Sequence, residues 1–431
     1  MNGPVGAADG WVAAGRLREC PHCGLLQRLP ALPRGAVAHC RRCAAVLRRR
    51  RVDPVGRSLA LAVTGLLLLG LAVFLPFMDV TLSGQGRHIS LLSGPLELEQ
   101  NGGWELAIAV LITTLVAPLA RLLALIYVLL GLRLASPPRH LYAVFRWVEW
   151  LGPWAMIEVF LLGVFVAYTR LVAIGQVQIG GAVYALAGLM LANAAADFAL
   201  DHEAVWEGLE RRGVVAGRVP EPGDARLRPL HGCDSCGLVS RHIQFCPRCG
   251  GRSSPRKTNS VQRTWALLIA SAILYIPANV LPVTTVVQLG RGEPSTIVEG
   301  VIELATPQNW PLAVLVLFAS VLVPLLKLIG LSVLLISTQR RARTGLRERT
   351  LLYRVVESVG RWSMIDVFMI SILTAMVRMG KLVSVYPGPG AVAFCAVVVL
   401  TMLAAMSFDP RLMWDAAAQP RRARGTANGG K

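Results

Sequence analysis

The chain alternates between long apolar runs and shorter polar segments. A run of about 20 apolar residues is long enough to cross a bilayer as a helix. Eight such runs lie at about 58–77, 105–131, 147–172, 182–200, 264–282, 311–336, 356–379 and 390–408. The pattern predicts an all-α polytopic membrane protein with eight spans.

The last four runs repeat the first four. The heptapeptide at 154–160 (WAMIEVF) returns 208 residues later at 362–368 (WSMIDVF), with five of seven positions identical. Leu75-Pro76, Trp104, Pro118 and Arg121 return at a spacing of 206 as Leu281-Pro282, Trp310, Pro324 and Lys327. Equal spacing across so many residue types indicates a tandem duplication.

Composition supports a membrane protein. The chain is 54% hydrophobic and only 16% charged, whereas soluble domains carry about 25% charged residues. The net charge of +19 is of the size that basic nucleic-acid-binding proteins show. However, the basic residues are spread over the segments between the apolar runs instead of forming one patch, so no nucleic acid is expected as a partner.

Basic residues also predict the orientation. The segments at 1–57, 132–146, 201–263, 337–354 and 409–431 hold 36 of the 44 Lys and Arg residues, whereas the intervening loops hold 3. Basic segments stay on the cytoplasmic side of a membrane, and four spans per repeat give both repeats the same orientation. We therefore expect both termini and both polar domains in the cytoplasm.

Eight of the nine cysteines form four Cys-x-x-Cys pairs. Sixteen residues separate the pairs in the first set and nine in the second. The sets are Cys20, Cys23, Cys40 and Cys43, and Cys233, Cys236, Cys246 and Cys249. Two pairs complete a closed tetrahedral thiolate shell, which is typical of structural Zn²⁺ and leaves no open catalytic position. Iron in a rubredoxin-like site is the alternative.

These features divide the chain into five parts. We expect a zinc ribbon at 1–57, a first transmembrane unit at 58–200 and a linker with a second zinc ribbon at 201–263. A second transmembrane unit at 264–408 and a basic tail at 409–431 complete the chain. The duplicated element is thus one zinc ribbon followed by four transmembrane helices.

Titratable residues inside the apolar runs form the candidate functional site, because charges within a bilayer are energetically costly. Lys327 lies about ten residues, or ~15 Å at the helical rise, from the cytoplasmic end of its span. It follows Pro324, which opens a helix locally. We favour an internal role over snorkelling to the surface. Asp366 is its expected partner, and Glu158 is the expected partner of Arg121.

Asp197 adds a polar side chain to the fourth span. A purely structural ion pair and a polar path for protons or a lipid head group are both open interpretations of these residues. The chain has no His-Glu-x-x-His and no Gly-x-x-x-x-Gly-Lys-Ser/Thr motif, so neither metalloprotease nor P-loop chemistry is indicated. We expect a protein that is not an enzyme.

The motifs together resemble the paraquat-inducible protein A family. The resemblance is carried by both cysteine sets, the repeated Leu-Pro, 323–327 (VPLLK), 362–368 and 407–415 (SFDPRLMWD). It covers nearly the whole chain. It implies an inner-membrane subunit that works with a periplasmic mammalian-cell-entry (MCE) domain protein and loads or extracts membrane phospholipid for the tunnel that this partner forms.

Two alternatives remain at the level of sequence. One is a membrane redox protein with tetrathiolate iron, and the other is a structural anchor for a periplasmic partner. The repeats also differ, since His202-Glu203 stands where the second repeat has Pro410-Arg411. We therefore predict that the working site lies in the second repeat.

Overall fold

The computed structural model is mostly helical. It describes residues 16–82, 85–100, 102–172, 176–215, 230–241, 244–288, 291–305, 310–376 and 383–418. Seven helical segments in these ranges are long and apolar enough to cross a membrane: Pro54–Phe74, Trp104–Gly131, Leu141–Thr169, Gly181–Ala199, Ser260–Val280, Ala313–Gln339 and Pro389–Ser407. The chain is a multi-pass membrane protein. The predicted span at 356–379 is described as far as Met376.

The two transmembrane units have matching elements. The first contains α1 (Pro54–Phe74), α2 (Ser93–Gln100), α3 (Trp104–Leu111), α4 (Ala117–Gly131), α5 (Leu141–Leu151), α6 (Ile157–Val172) and α7 (Gly181–Ala199), followed by α8 (His202–Arg211). The second contains α9 (Ser260–Val280), α10 (Ile297–Leu304), α11 (Trp310–Leu317), α12 (Val323–Gln339), α13 (Leu346–Val359), α14 (Ile365–Met376) and α15 (Pro389–Ser407), followed by α16 (Arg411–Ala418). In each unit the first span packs along the fourth, α1 on α7 and α9 on α15.

The second span of each unit is interrupted just before its proline. π-helical turns at Ile112–Val116 and Phe318–Leu322 precede Pro118 and Pro324. A proline lacks the backbone N–H, and its ring clashes with the carbonyl four residues earlier. A wider turn relieves this clash. The predicted local opening at Pro324 is therefore confirmed.

Strands occupy the loops opposite the cysteine domains, where the sequence predicts polar loops. β5 (Met78–Leu82), β6 (Gln85–Ile89) and β7 (Gln176–Ile179) form an antiparallel sheet in the order β6-β5-β7. β10 (Thr284–Gln288), β11 (Arg291–Ser295) and β12 (Val383–Pro387) form its counterpart in the order β11-β10-β12. These strands have four or five residues, which is too short for a clear alternation of apolar and polar positions.

The repeated Leu-Pro pair marks the point where the first and fourth spans meet. A Cβ atom on Gly180 would lie 2.1 Å from the Pro76 carbonyl oxygen, and one on Gly388 would lie 2.2 Å from that of Pro282. Only glycine permits so close an approach of two backbones. The end of the first span thus fixes the start of the fourth.

The two units meet where α6 packs against α14. The rings of Phe160 and Phe368 lie edge to face, with centroids 5.5 Å apart. A Cβ atom on Gly163 would lie 2.9 Å from Cβ of Phe368, and one on Gly94 in α2 would lie 2.6 Å from Oγ of Ser371. Two helices of the first unit therefore support α14 of the second.

A methyl group at position 163 tests this close contact. We expect Gly163→Ala to lower the midpoint of thermal unfolding in detergent, because overpacking a close contact destabilises by about 1–3 kcal/mol. Gly70→Ala in α1 is the matched control, since a Cβ atom there meets nothing within 4 Å and alanine favours a helix over glycine. Equal midpoints for the two variants would contradict the described packing.

Candidate metal centres and intramembrane polar site

Four turns with one backbone geometry present the paired cysteines. In each turn the N–H of the first cysteine donates to the carbonyl five residues later, and the N–H four residues later donates back to the cysteine carbonyl. The residue four positions after the first cysteine of each turn has a positive φ: Gly24 (70°), Ala44 (57°), Gly237 (67°) and Gly250 (64°). Glycine enters this region without steric penalty, which explains the glycine in three of the four turns.

The turns gather the thiols into two buried clusters whose members were predicted from spacing. One cluster contains Cys20, Cys23, Cys40 and Cys43, and the other contains Cys233, Cys236, Cys246 and Cys249, with all four sulfur atoms of each within 4.8 Å of one another. A tetrahedral ion with ~2.3 Å bonds to sulfur suits this arrangement. The hydrogen bond with Cys23 lowers the pKa of Cys20 and raises that of Cys23, and the hydrogen bond between Cys233 and Cys236 shifts their pKa values in the same way. Both clusters therefore have the donors for a metal ion.

Hairpins carry the cysteine turns. β1 (Arg16–Glu19) pairs with β2 (Leu26–Leu29), and β3 (Val37–His39) pairs with β4 (Val46–Arg49). We call the region 16–49 ribbon 1. β8 (Leu230–Gly232) pairs with β9 (Val239–Arg241). We call the region 230–241 and 244–254 ribbon 2.

Ribbon 1 docks on the transmembrane unit of the other repeat. Nη2 of Arg354, on α13, donates to the Cys43 carbonyl over 3.0 Å. The guanidinium of Arg42 lies 4.3 Å from the ring centroid of Trp414 on α16, a distance suited to a cation–π interaction. The N-terminal ribbon thus rests on the C-terminal unit.

Ribbon 2 makes the reciprocal contacts with the first unit. Nη1 of Arg146, on α5, donates to the Cys249 carbonyl over 3.4 Å. The guanidinium of Arg248 lies 5.7 Å from the ring centroid of Trp206 on α8. Arg146 and Trp206 are the equivalents of Arg354 and Trp414 at a spacing of 208. Each ribbon therefore docks on the unit of the opposite repeat, and the two sets of contacts are equivalent.

A buried ionic cluster joins both ribbons to α16. Arg411 is 3% exposed and donates to both carboxylate oxygens of Asp409 at 2.9 Å and to Asp234 of ribbon 2 at 2.7 Å. Its Nη1 lies 3.6 Å from Oε1 of Glu19 in ribbon 1. Burial raises the pKa of Asp409, but the hydrogen bonds and charge of Arg411 outweigh burial and bring that pKa below its ordinary value.

The first repeat uses the opposite charge at the same position. Glu203, the equivalent of Arg411, is 6% exposed and forms ion pairs with Arg248 of ribbon 2 and Arg18 of ribbon 1. At this position the first unit therefore offers an acid to arginines of the ribbons, whereas the second unit offers an arginine to acids of the ribbons. Ribbon 1 also contacts its own repeat, where Arg48 lies 2.9 Å from Glu207.

Lys327 is buried on α12 at 2% exposure. Its Nζ donates to the Gly360 carbonyl over 2.7 Å and to the Thr401 hydroxyl over 3.3 Å. Gly360 opens the 3₁₀ turn Gly360–Met364 between α13 and α14, and Thr401 lies on α15. The amine thus connects the second, third and fourth spans of its unit.

Thr401 and Gly360 were not among the predicted site residues. A single threonine in an apolar run carries little information alone. However, Thr401 stands 208 residues after Asn193 and Gly360 stands 208 after Gly152, so each has a polar or glycine equivalent in the first repeat. Alignment of the two repeats could therefore have identified both residues from the sequence.

Asp366 is 3% exposed in the first turn of α14. It lies six residues after Gly360, the acceptor of Lys327, in the first helical turn after the break in the third span. Direct pairing of the two side chains stays a prediction. Its equivalent, Glu158, is exposed in the first turn of α6.

Arg121 forms an ion pair with Asp197 on α7, whereas the sequence suggested Glu158 as its partner. The second repeat has Ala405 at the position of Asp197. The first unit therefore neutralises its base with a carboxylate. Both described acceptors of Lys327 in the second unit are neutral.

Comparison with known proteins agrees with this organisation. The family model for Paraquat-inducible protein A matches residues 55–210 and 261–418, one match for each unit. Intermembrane transport protein PqiA of Escherichia coli (strain K12) is 36% identical over 399 residues, covering 92% of this chain and 95% of the relative. No solved structure matches the chain significantly.

Two further relatives match over similar lengths. Lipophilic envelope-spanning tunnel protein A of Escherichia coli (strain K12) is 32% identical over 402 residues, covering 93% of this chain and 92% of the relative. A protein named Probable intermembrane transport protein from Haemophilus influenzae is 25% identical over 411 residues, with 93% and 96% covered. On the paired family matches and these full-length similarities, the chain belongs to the paraquat-inducible protein A family.

Proposed function

We propose that this chain is the inner-membrane subunit of an intermembrane lipid transport system. In this role it loads phospholipid into, or extracts it from, a periplasm-spanning tunnel formed by an MCE-domain partner. The names of its relatives refer to intermembrane transport and to an envelope-spanning tunnel. These relatives are named as transport proteins, which favours a role that is not enzymatic.

The observation that carries the proposal is the environment of Lys327. An ammonium group in an apolar interior needs hydrogen-bond acceptors, because an isolated buried charge is very unfavourable. Its two described acceptors are a carbonyl and a hydroxyl, so they solvate the amine without cancelling its charge. A lipid phosphate supplies the missing negative charge. In this proposal Asp366, in the first helical turn after the break in the third span, acts on the proton or the head group.

The first unit has a different role in this proposal. Asp197 already cancels the charge of Arg121, and α2 and α6 pack against α14. We propose that the first unit supports the second, where cargo is handled. Eight spans in two units, at 58–200 and 264–408, with ribbons and termini in the cytoplasm, fit the distribution of basic residues.

Zinc is the proposed ion in both ribbons, because closed tetrathiolate shells are typical of structural zinc. We expect elemental analysis of the purified protein to give about two zinc ions per chain. The double variant Cys40→Ser/Cys43→Ser and its counterpart Cys246→Ser/Cys249→Ser should each retain about one. Iron in place of zinc, with a red colour, would favour the redox alternative.

Variants of the polar site test transport. We expect Lys327→Ala and Asp366→Ala to reduce complementation under envelope stress to the level of the empty vector, at normal protein levels. Arg121→Ala, at the equivalent position of the first unit, should retain most of the function. If both second-unit variants complement fully, the proposal is wrong. Loss of function confined to variants of the loops at 78–103 and 283–309 would support an anchor instead.

A further inference from the structure

One face of α13 is attached to the first cysteine cluster through two arginines. Nη2 of Arg354 lies 3.0 Å from the Cys43 carbonyl oxygen and 3.7 Å from the Cys43 sulfur. Nε of Arg347 donates to the Arg42 carbonyl over 2.9 Å. Residues seven apart lie on the same face of a helix. The Cys40–Cys43 turn therefore holds α13 at two points, two turns apart.

The same helix leads directly to the acceptor of Lys327. Gly360 lies six residues after Arg354, a rise of ~9 Å, and α13 continues to Val359 without a break. A helix transmits a displacement along its axis because its backbone hydrogen bonds keep it rigid. The position of the Gly360 carbonyl is thus tied to the position of Arg354, and therefore to Cys43.

A metal ion shared by its thiolates would make the cysteine turn a fixed anchor. Metal binding and folding of such small domains are coupled, and groups that contact the ligands help to orient them. The four thiols of ribbon 1 have the burial and spacing for one ion. Arg354 contacts both the backbone and the sulfur of one of them, so its position depends on the occupied state of ribbon 1.

We propose that Arg354 is a positioning residue that uses the metal-bound turn of ribbon 1 to hold the Gly360 carbonyl against Lys327. Ribbon 1 thereby controls the polar site of the opposite repeat, across 311 residues of sequence. This inference rests on the proposed function in taking Lys327 as the working residue and ribbon 1 as metal-bound. Arg146 makes the equivalent contact between ribbon 2 and α5, where Asp197 neutralises the base, and it provides a matched control.

Hydrogen–deuterium exchange on the full-length, zinc-loaded protein in detergent tests the coupling without a transport assay. We expect Arg354→Ala to accelerate exchange about tenfold in residues 355–366, the factor expected for loss of a charge-assisted hydrogen bond. The double variant Cys40→Ser/Cys43→Ser should do the same. Neither should change exchange at the equivalent residues 147–158. Arg146→Ala and Cys246→Ser/Cys249→Ser should show the converse pattern.

Arg354→Lys separates positioning from folding. Lysine keeps the charge but has a single donor nitrogen, so we expect an intermediate acceleration confined to 355–366. Unchanged exchange at 355–366 in Arg354→Ala would overturn the proposal. So would acceleration spread evenly over the chain, or acceleration at 147–158 when ribbon 1 loses its cysteines. If the pattern holds while Lys327→Ala still complements, the coupling stands and the proposed lipid role of Lys327 fails.

Discussion

The second transmembrane unit depends on the burial of one amine. Lys327 lies among apolar side chains, where a charge without hydrogen bonds would cost several kcal/mol. Carbonyl groups inside a regular helix already accept one backbone hydrogen bond, so a break in a helix is the better source of an acceptor. The acceptors come from a break in the third span at Gly360 and from the hydroxyl of Thr401. The π-helical turn before Pro324 marks an interruption in the span that carries the amine itself.

Duplication gave two copies of this transmembrane unit, and each copy stabilises the base in its second span in a different way. Arg121 is always charged, and Asp197 neutralises it. The described acceptors of Lys327 are neutral, so in the proposed role the second unit offers the charge of this amine to a ligand. The first unit contributes α2 and α6 to the support of α14. The inverted ion pairs of Glu203 and Arg411 with the ribbons show the same divergence at the end of the helices that carries the cysteine clusters.

Much of this organisation is readable in the sequence. Apolar runs predict the spans, cysteine spacing predicts both clusters, and equal offsets identify Lys327 as the counterpart of Arg121. The docking of each ribbon on the opposite unit is not readable, because each ribbon precedes its own unit in the chain and the equivalent surfaces look alike. Depth in an apolar run also does not give the direction of a side chain. For this reason Asp197, 76 residues from Arg121, was not recognised as its partner.

Photo-crosslinking with a photoreactive phospholipid tests whether the second unit binds lipid at Lys327. The purified wild-type protein is labelled in nanodiscs, and mass spectrometry locates the modified residues. We expect crosslinks around Lys327, Gly360 and Thr401 in excess over the equivalent positions of the first unit, with loss of that excess in Lys327→Ala. Equal crosslinking of both units, or an excess that survives Lys327→Ala, would contradict this expectation.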